Sequence, residues 1–230
     1  MSTDSAARPA PAHRTASPPA ADGRGWAIAG IAGGLVALGT LFGLSVGIAP
    51  SDEGLYRDNE RLVAAMAGNE WMVWVVQAGT SLAALLVVVF GAGLYRRLRR
   101  GEPEGGLVPL LTLAGMLLVA VMLLVGGGIS TELYHGLRKH AEFDPDTLAA
   151  DLAIYNTMAW VWAGAGLSAG AVAVAGLRRR TVGRGVAIFS AVMAALVALT
   201  QLTPVQYMAL LPGTLWVVVM GFVFALGRNR

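Results

Sequence analysis

Six long stretches with almost no charge recur along this chain, and no other feature limits its fold as severely. A hydrocarbon core about 30 Å thick is crossed by roughly 20 apolar residues in a helix, and a helix satisfies its own backbone there without water. The stretches run over residues 26–49, 71–95, 107–130, 154–177, 185–203 and 206–227. They predict an all-α membrane protein, a bundle of six transmembrane helices. With 56% hydrophobic and 13% charged residues, the chain cannot cover the surface of a soluble globule, which excludes a cytosolic enzyme. Residues 1–25 are rich in Ala, Pro, Ser and Thr, contain no apolar run and read as a disordered tail. The first apolar stretch is longer than the core of a signal peptide, so it is expected to stay attached as span one. Residues 228–230 form a short C-terminal end.

The distribution of charge orients the spans. If the N-terminus is inside, that side carries Arg8, Arg14, Arg24, Arg96, Arg97, Arg99, Arg100, Arg178, Arg179, Arg180, Arg184, Arg228 and Arg230 against Asp4, Asp22, Glu102 and Glu104, a net +9. The other side holds ten acids against Arg57, Arg61, Arg138 and Lys139, a net −6. Basic loops stay cytoplasmic, so both termini are expected inside, at the cytoplasmic face of a cell membrane. The high isoelectric point, near 9.7, is thereby explained by topology and not by nucleic-acid binding.

The two longer outer loops should be partly helical. Asp144-Pro145-Asp146-Thr147 supplies a capping acid and a proline for the first helical position, ahead of Leu148, Leu152 and Tyr155. Ser51-Asp52-Glu53, followed by Leu55, Leu62 and Met66, suggests a similar lead into span two.

Little in the chain carries chemistry. There is no cysteine, hence no disulfide, thiolate nucleophile or Cys-ligated metal. Every ionisable side chain is expected in a loop or within a turn of a helix end, whereas proton relays and haem ligands require such groups inside the bundle. Gln77, Thr80 and Ser81 share a helical face and could line a cavity, although hydrogen bonding between helices is the ordinary use of such residues. Glu132 and His135, spaced three apart, with His140 close by in sequence, form a weak metal-ligand pattern beside a more ordinary reading as a solvated acidic loop. Trp71, Trp74, Trp160, Trp162 and Tyr155 read as an aromatic belt at the outer interface. Gly30 and Gly34, Gly39, Gly43 and Gly47, and Gly166 and Gly170 have the small-xxx-small spacing of close helix packing, expected within the molecule. No catalytic residues, cofactor or nucleotide fingerprint can be assigned.

Weak internal similarity at an offset of 86 residues aligns Met72-Val73-Trp74-Val75 with Met158-Ala159-Trp160-Val161 and suggests three tandem helical hairpins. The Pro50-Ser51-Asp52 exit from span one, the Leu62-Val63-Ala64-Ala65-Met66 lead and the Leu94-Tyr95-Arg96-Arg97-Leu98-Arg99 end of span two supply a further clue. In these features the chain resembles a domain-of-unknown-function family of six-helix bacterial, many of them actinobacterial, membrane proteins. The resemblance covers residues 26–227 and implies a fold without implying catalytic residues. The expected role is binding, scaffolding or regulation without catalysis, in contact with the lipid bilayer and with a membrane-protein partner or a second copy of the chain. The alternative is a carrier or binder of a small apolar or lipid-like solute.

Overall fold

The computed structural model describes residues 23–44 and 52–227. Eight α-helices succeed one another among the described residues: α1 Gly25–Ala37, α2 Asn59–Met66, α3 Glu70–Arg99, α4 Val108–Arg138, α5 Pro145–Thr157, α6 Ala163–Arg179, α7 Arg184–Leu202 and α8 Leu210–Leu226. A π-helical segment, Leu38–Leu44, continues α1, and 3-10 turns occupy Glu53–Arg57, Met158–Trp162 and Gln206–Ala209. Most of the expected tail, residues 1–22, lies outside the described residues, as do 45–51 and 228–230.

Among the described residues, five helical stretches are long and apolar enough to cross a membrane: Glu70–Arg99, Val108–Arg138, Pro145–Arg179, Arg184–Leu202 and Gln206–Leu226. Gly25–Leu41 is apolar but shorter. Helices α3 and α4, with 30 and 31 residues, outrun the apolar stretches that predicted them. At 1.5 Å per residue each is about 45 Å long, more than the hydrocarbon thickness. Their extra turns carry Arg96, Arg97 and Arg99 at the end of α3, and Glu132, His135 and Arg138 at the end of α4. The expectation that every ionisable group lies within one turn of a helix end therefore needs correction. Glu132 lies nearly two turns inside α4, and Asp151 is midway along α5. Hydropathy marks where a helix meets lipid, but its hydrogen-bond ladder continues wherever the backbone can.

Neighbours in sequence pack as neighbours in space: α1 on α3, α3 on α4, α4 on α6 and α6 on α7, while α8 returns to α1 and closes the ring. The hairpin partners α1–α3 and α4–α6 touch, but α7 packs mainly on α6 and only secondarily on α8, so the last two helices are not a separate layer.

Glycine allows these contacts. At the α4–α6 crossing, a Cβ built on Gly115 would lie 2.5 Å from the Gly164 carbonyl oxygen, and one on Gly164 would lie 2.5 Å from that of Gly115. The two backbones are in direct contact, and Ser168 Oγ donates across them to Thr112 O at 2.7 Å. Gly30 and Gly34 face Phe90 and Val218, and Gly166 faces Val197, so these pairs work within the molecule as expected. Gly39 has nothing within 4 Å of its Cβ position, and Gly47 lies outside the described residues.

Buried hydroxyls are satisfied locally. Thr112, Ser130 and Thr214 each donate to a carbonyl four residues back, which satisfies these three hydroxyls inside the apolar core, whereas Trp162 Nε1 is buried without a hydrogen-bond partner. Trp216 Nε1 donates to Ser190 Oγ at 3.0 Å, tying α8 to α7. Trp26, Phe90, Phe224 and Trp216 form a chain of rings between α1, α3 and α8, with centroids 5.4–6.2 Å apart. Towards the bilayer, Ile188, Val192, Leu196 and Leu199 make an exposed apolar stripe on α7.

At the opposite end from the arginine clusters, α2 and α5 lie together. Leu62, Val63 and Met66 of α2 and Leu148, Leu152 and Tyr155 of α5 are all buried in the common core. Asn59 Nδ2 donates to Asp146 Oδ1 at 2.7 Å between them. Each helix starts on an aspartate: the Asp58 carboxylate accepts from Arg61 N, and that of Asp144 accepts from Thr147 N, ahead of Pro145 at the position the sequence predicts.

The aromatic belt needs revision. Trp71, Trp74 and Trp160 are exposed, as a belt requires, whereas Trp162 and Tyr155 are buried. The 3-10 turn Met158–Trp162 interrupts the helical register, and Trp162 packs against Gly213. Tyr155 shares the inward face of Leu148 and Leu152, seven and three residues before it.

Candidate functional site

The residues singled out by spacing are only partly assembled. Gln77, Thr80 and Ser81 face α4, where the Cβ position of Gly127 is 3.4 Å from Ser81 Oγ and 3.5 Å from Thr80 Oγ1. Thr80 donates to Gln77 O at 2.9 Å. Of the three, Thr80 alone lines a closely packed apolar crevice with Leu41, Met122, Leu123, Gly126 and Val161, which has no room for a water molecule. That arrangement is helix packing with one satisfied hydroxyl. Glu132 and His135 are both exposed on α4, which stays helical past them, and His135 packs edge-on against Tyr134. His140 Nδ1 lies 3.2 Å from Leu137 O. Among the described residues, no three His, Asp or Glu side chains gather as a metal site would require.

A larger concavity lies at the arginine-rich end, where α3 stops and α4 begins. It has a volume of about 690 Å³, within the range of small-molecule sites. Tyr95 and Arg99 from the last turns of α3, Glu102 and Glu104 from the connecting loop, and Leu107 and Leu110 from the start of α4 line it. Its construction follows from the sequence. Arg96, Arg97 and Arg99 suit the negative end of the α3 dipole. Pro103 and Gly105, the latter at φ 80°, then turn the chain, and Pro109 sits in the first turn of α4, where a missing N–H costs nothing. Arg99 is held by Tyr95: Nη1 donates to the phenolic oxygen at 2.9 Å, and the guanidinium carbon lies 5.9 Å from the ring centroid.

One wall of the pocket is pinned to another helix. Glu102 has a side chain only 1% exposed and forms an ion pair through Oε2 with Arg179 in the last turn of α6. Its Oε1 is buried with no hydrogen-bond partner. A Cβ on Gly106 would lie 2.8 Å from Glu102 Oε2 and 3.1 Å from Arg179 Nη1, and one on Gly101 would lie 2.9 Å from Thr181 Cγ2. Glycine at both positions lets the α3–α4 loop close onto the end of α6. There the left-handed Arg180, at φ 54°, ends α6, and Thr181 N donates to Ala175 O.

Spacing rules did not find this pocket, because Glu102 and Glu104 entered only as charges in the topology sum. The signal was available: they are the only acids in the arginine-rich connections after the N-terminal tail, within a Gly- and Pro-rich turn. Compared with known protein families, curated proteins and solved structures, the chain matches none.

Proposed function

We propose that this chain is a six-span protein of the bacterial cell membrane, with both termini cytoplasmic, that binds an amphipathic, lipid-like molecule at its cytoplasmic face and performs no catalysis of its own. The pocket between α3 and α4 carries this reading. Its polar wall is Arg99, Glu102 and Glu104, and its other wall is Leu107 and Leu110, which are 65% and 55% exposed. At the inner membrane surface such a pocket would face headgroups on one side and acyl chains on the other. The arginine clusters at this end agree with a cytoplasmic placement. The apolar Gly25–Ala37 helix and its π-helical continuation Leu38–Leu44 would form most of span one.

Native mass spectrometry of the protein extracted in mild detergent tests the reading. Reproducible retention of about one lipid per chain, lost when Leu107→Trp fills the pocket, is the expected result. Retention of a protein partner with no bound lipid would instead establish a scaffold.

A further inference from the structure

The polar wall of the inner pocket restricts which lipid it suits. We infer that it takes the headgroup of an aminophospholipid, phosphatidylethanolamine, with the phosphate on Arg99 and the primary ammonium on the Glu104 and Glu102 carboxylates. The inference rests on the lipid-binding reading above and names the ligand for that same site.

Arg99 is suited to a phosphodiester. Its guanidinium gives one donor to Tyr95 and is steadied over that ring, which leaves other N–H groups of a rigid planar fork to meet two phosphate oxygens. The positive end of the α4 dipole, at Leu107 and Pro109 in the same pocket, adds to the preference for an anion.

The two carboxylates supply the opposite charge. Glu104 is exposed, and Glu102 presents a buried Oε1 that accepts no hydrogen bond. A carboxylate oxygen without a donor is unfavourable when buried, and a primary ammonium brings three donors. Because Arg179 already matches the charge of Glu102, the pocket is left with one cation, Arg99, and one further anion, Glu104. A zwitterion with N–H donors matches that set.

Other common headgroups fit less well. A glycerol headgroup has no cation for Glu104. A choline group has the charge but no N–H donor, and the aromatic face that often receives quaternary ammonium ions is covered here by Arg99 over Tyr95.

The test uses the full chain in detergent, stripped of co-purified lipid and titrated by native mass spectrometry. The lipids are phosphatidylethanolamine, phosphatidylcholine and phosphatidylglycerol with identical acyl chains. Phosphatidylethanolamine should bind roughly tenfold more tightly than the other two, the scale of one well-made charge-assisted contact. Glu104→Gln and Arg99→Gln, both at exposed positions, should each reduce that preference to about twofold or less while leaving the melting temperature unchanged. Equal binding of all three lipids would overturn the headgroup assignment and leave general lipid binding standing. Binding of none would overturn both. A preference that survives both substitutions would place the lipid elsewhere and refute the site. Displacement of the lipid by an equal concentration of soluble glycerophosphoethanolamine would refute the lipid as the ligand in favour of an aqueous one.

Discussion

Replacing Gly115 by alanine should destabilise the bundle, although alanine is the better helix former. In the interior of α4, the intrinsic preference for alanine over glycine favours the variant by about 1 kcal/mol. Against this, the new methyl carbon would lie 2.5 Å from the Gly164 carbonyl oxygen and 2.9 Å from Ser168 N, where about 3.2 Å or more is needed for contact without repulsion. The neighbours are the backbone of α6 and a serine held by its bond to Thr112 O, so neither can rotate away. Helices α4 and α6 must part by several tenths of an ångström, which loosens their packing and stretches that 2.7 Å bond. Overpacking of this kind costs about 1–3 kcal/mol and a weakened buried hydrogen bond about 1 kcal/mol, so a net loss of about 1–3 kcal/mol is expected. Gly128, in the same helix, is the control. Nothing lies within 4 Å of its Cβ position, and Gly128→Ala should be neutral or stabilising by up to about 1 kcal/mol. Reversible unfolding in mixed micelles of SDS and a mild detergent measures both. A Gly115→Ala protein as stable as the parent, or a Gly128→Ala protein equally destabilised, would refute backbone contact at the α4–α6 crossing.

Other predictions concern the polar contacts. Ser190→Ala removes the acceptor of the buried Trp216 Nε1 and should cost about 1–3 kcal/mol by the same assay, whereas Ser190→Thr, which keeps an oxygen, should cost less. Glu102→Gln and Arg179→Gln should each destabilise by about 1–3 kcal/mol, less than a fully buried pair because Arg179 stays partly in water. The double variant should lose less than the sum of the two, and additivity would show that the pair is not coupled. Asn59→Ala should leave global stability within about 1 kcal/mol but speed hydrogen exchange in α2 and in the first turns of α5, because the bond to Asp146 is exposed. Unchanged exchange would mean that apolar contacts alone hold α2 to α5.

What the sequence made legible follows from which interactions leave a periodic or compositional trace. Apolar stretches located the long helices, and Asp144-Pro145 located the start of α5 to the residue, because a capping carboxylate and a proline act through the nearest backbone groups. The glycine spacing at Gly30, Gly34 and Gly166 correctly pointed to packing within the molecule. Spacing alone could not name Gly115 and Gly164 as mutual contacts, since their pairing depends on how two distant segments cross. Trp162 and Tyr155 were misread as belt residues because a position near the end of a span does not say which face a side chain takes: Tyr155 follows the inward face of Leu148 and Leu152, and Trp162, at the end of the 3-10 turn Met158–Trp162, packs on Gly213. The inner pocket escaped for a related reason. Glu102 meets Arg179 across 77 positions, and a charge sum records both residues without recording that they touch.

The cytoplasmic placement of the arginine-rich end and its pocket is tested most directly by cysteine accessibility, since the chain contains no native cysteine. Ala141→Cys lies on the exposed connection after α4, and Gly185→Cys on the exposed first turn of α7, with nothing within 4 Å of its Cβ position. In intact cells, a membrane-impermeant maleimide should label position 141 and should reach position 185 only after the membrane is permeabilised. Labelling of position 185 in intact cells with position 141 protected would place the arginine-rich end and its pocket outside, and would contradict the account.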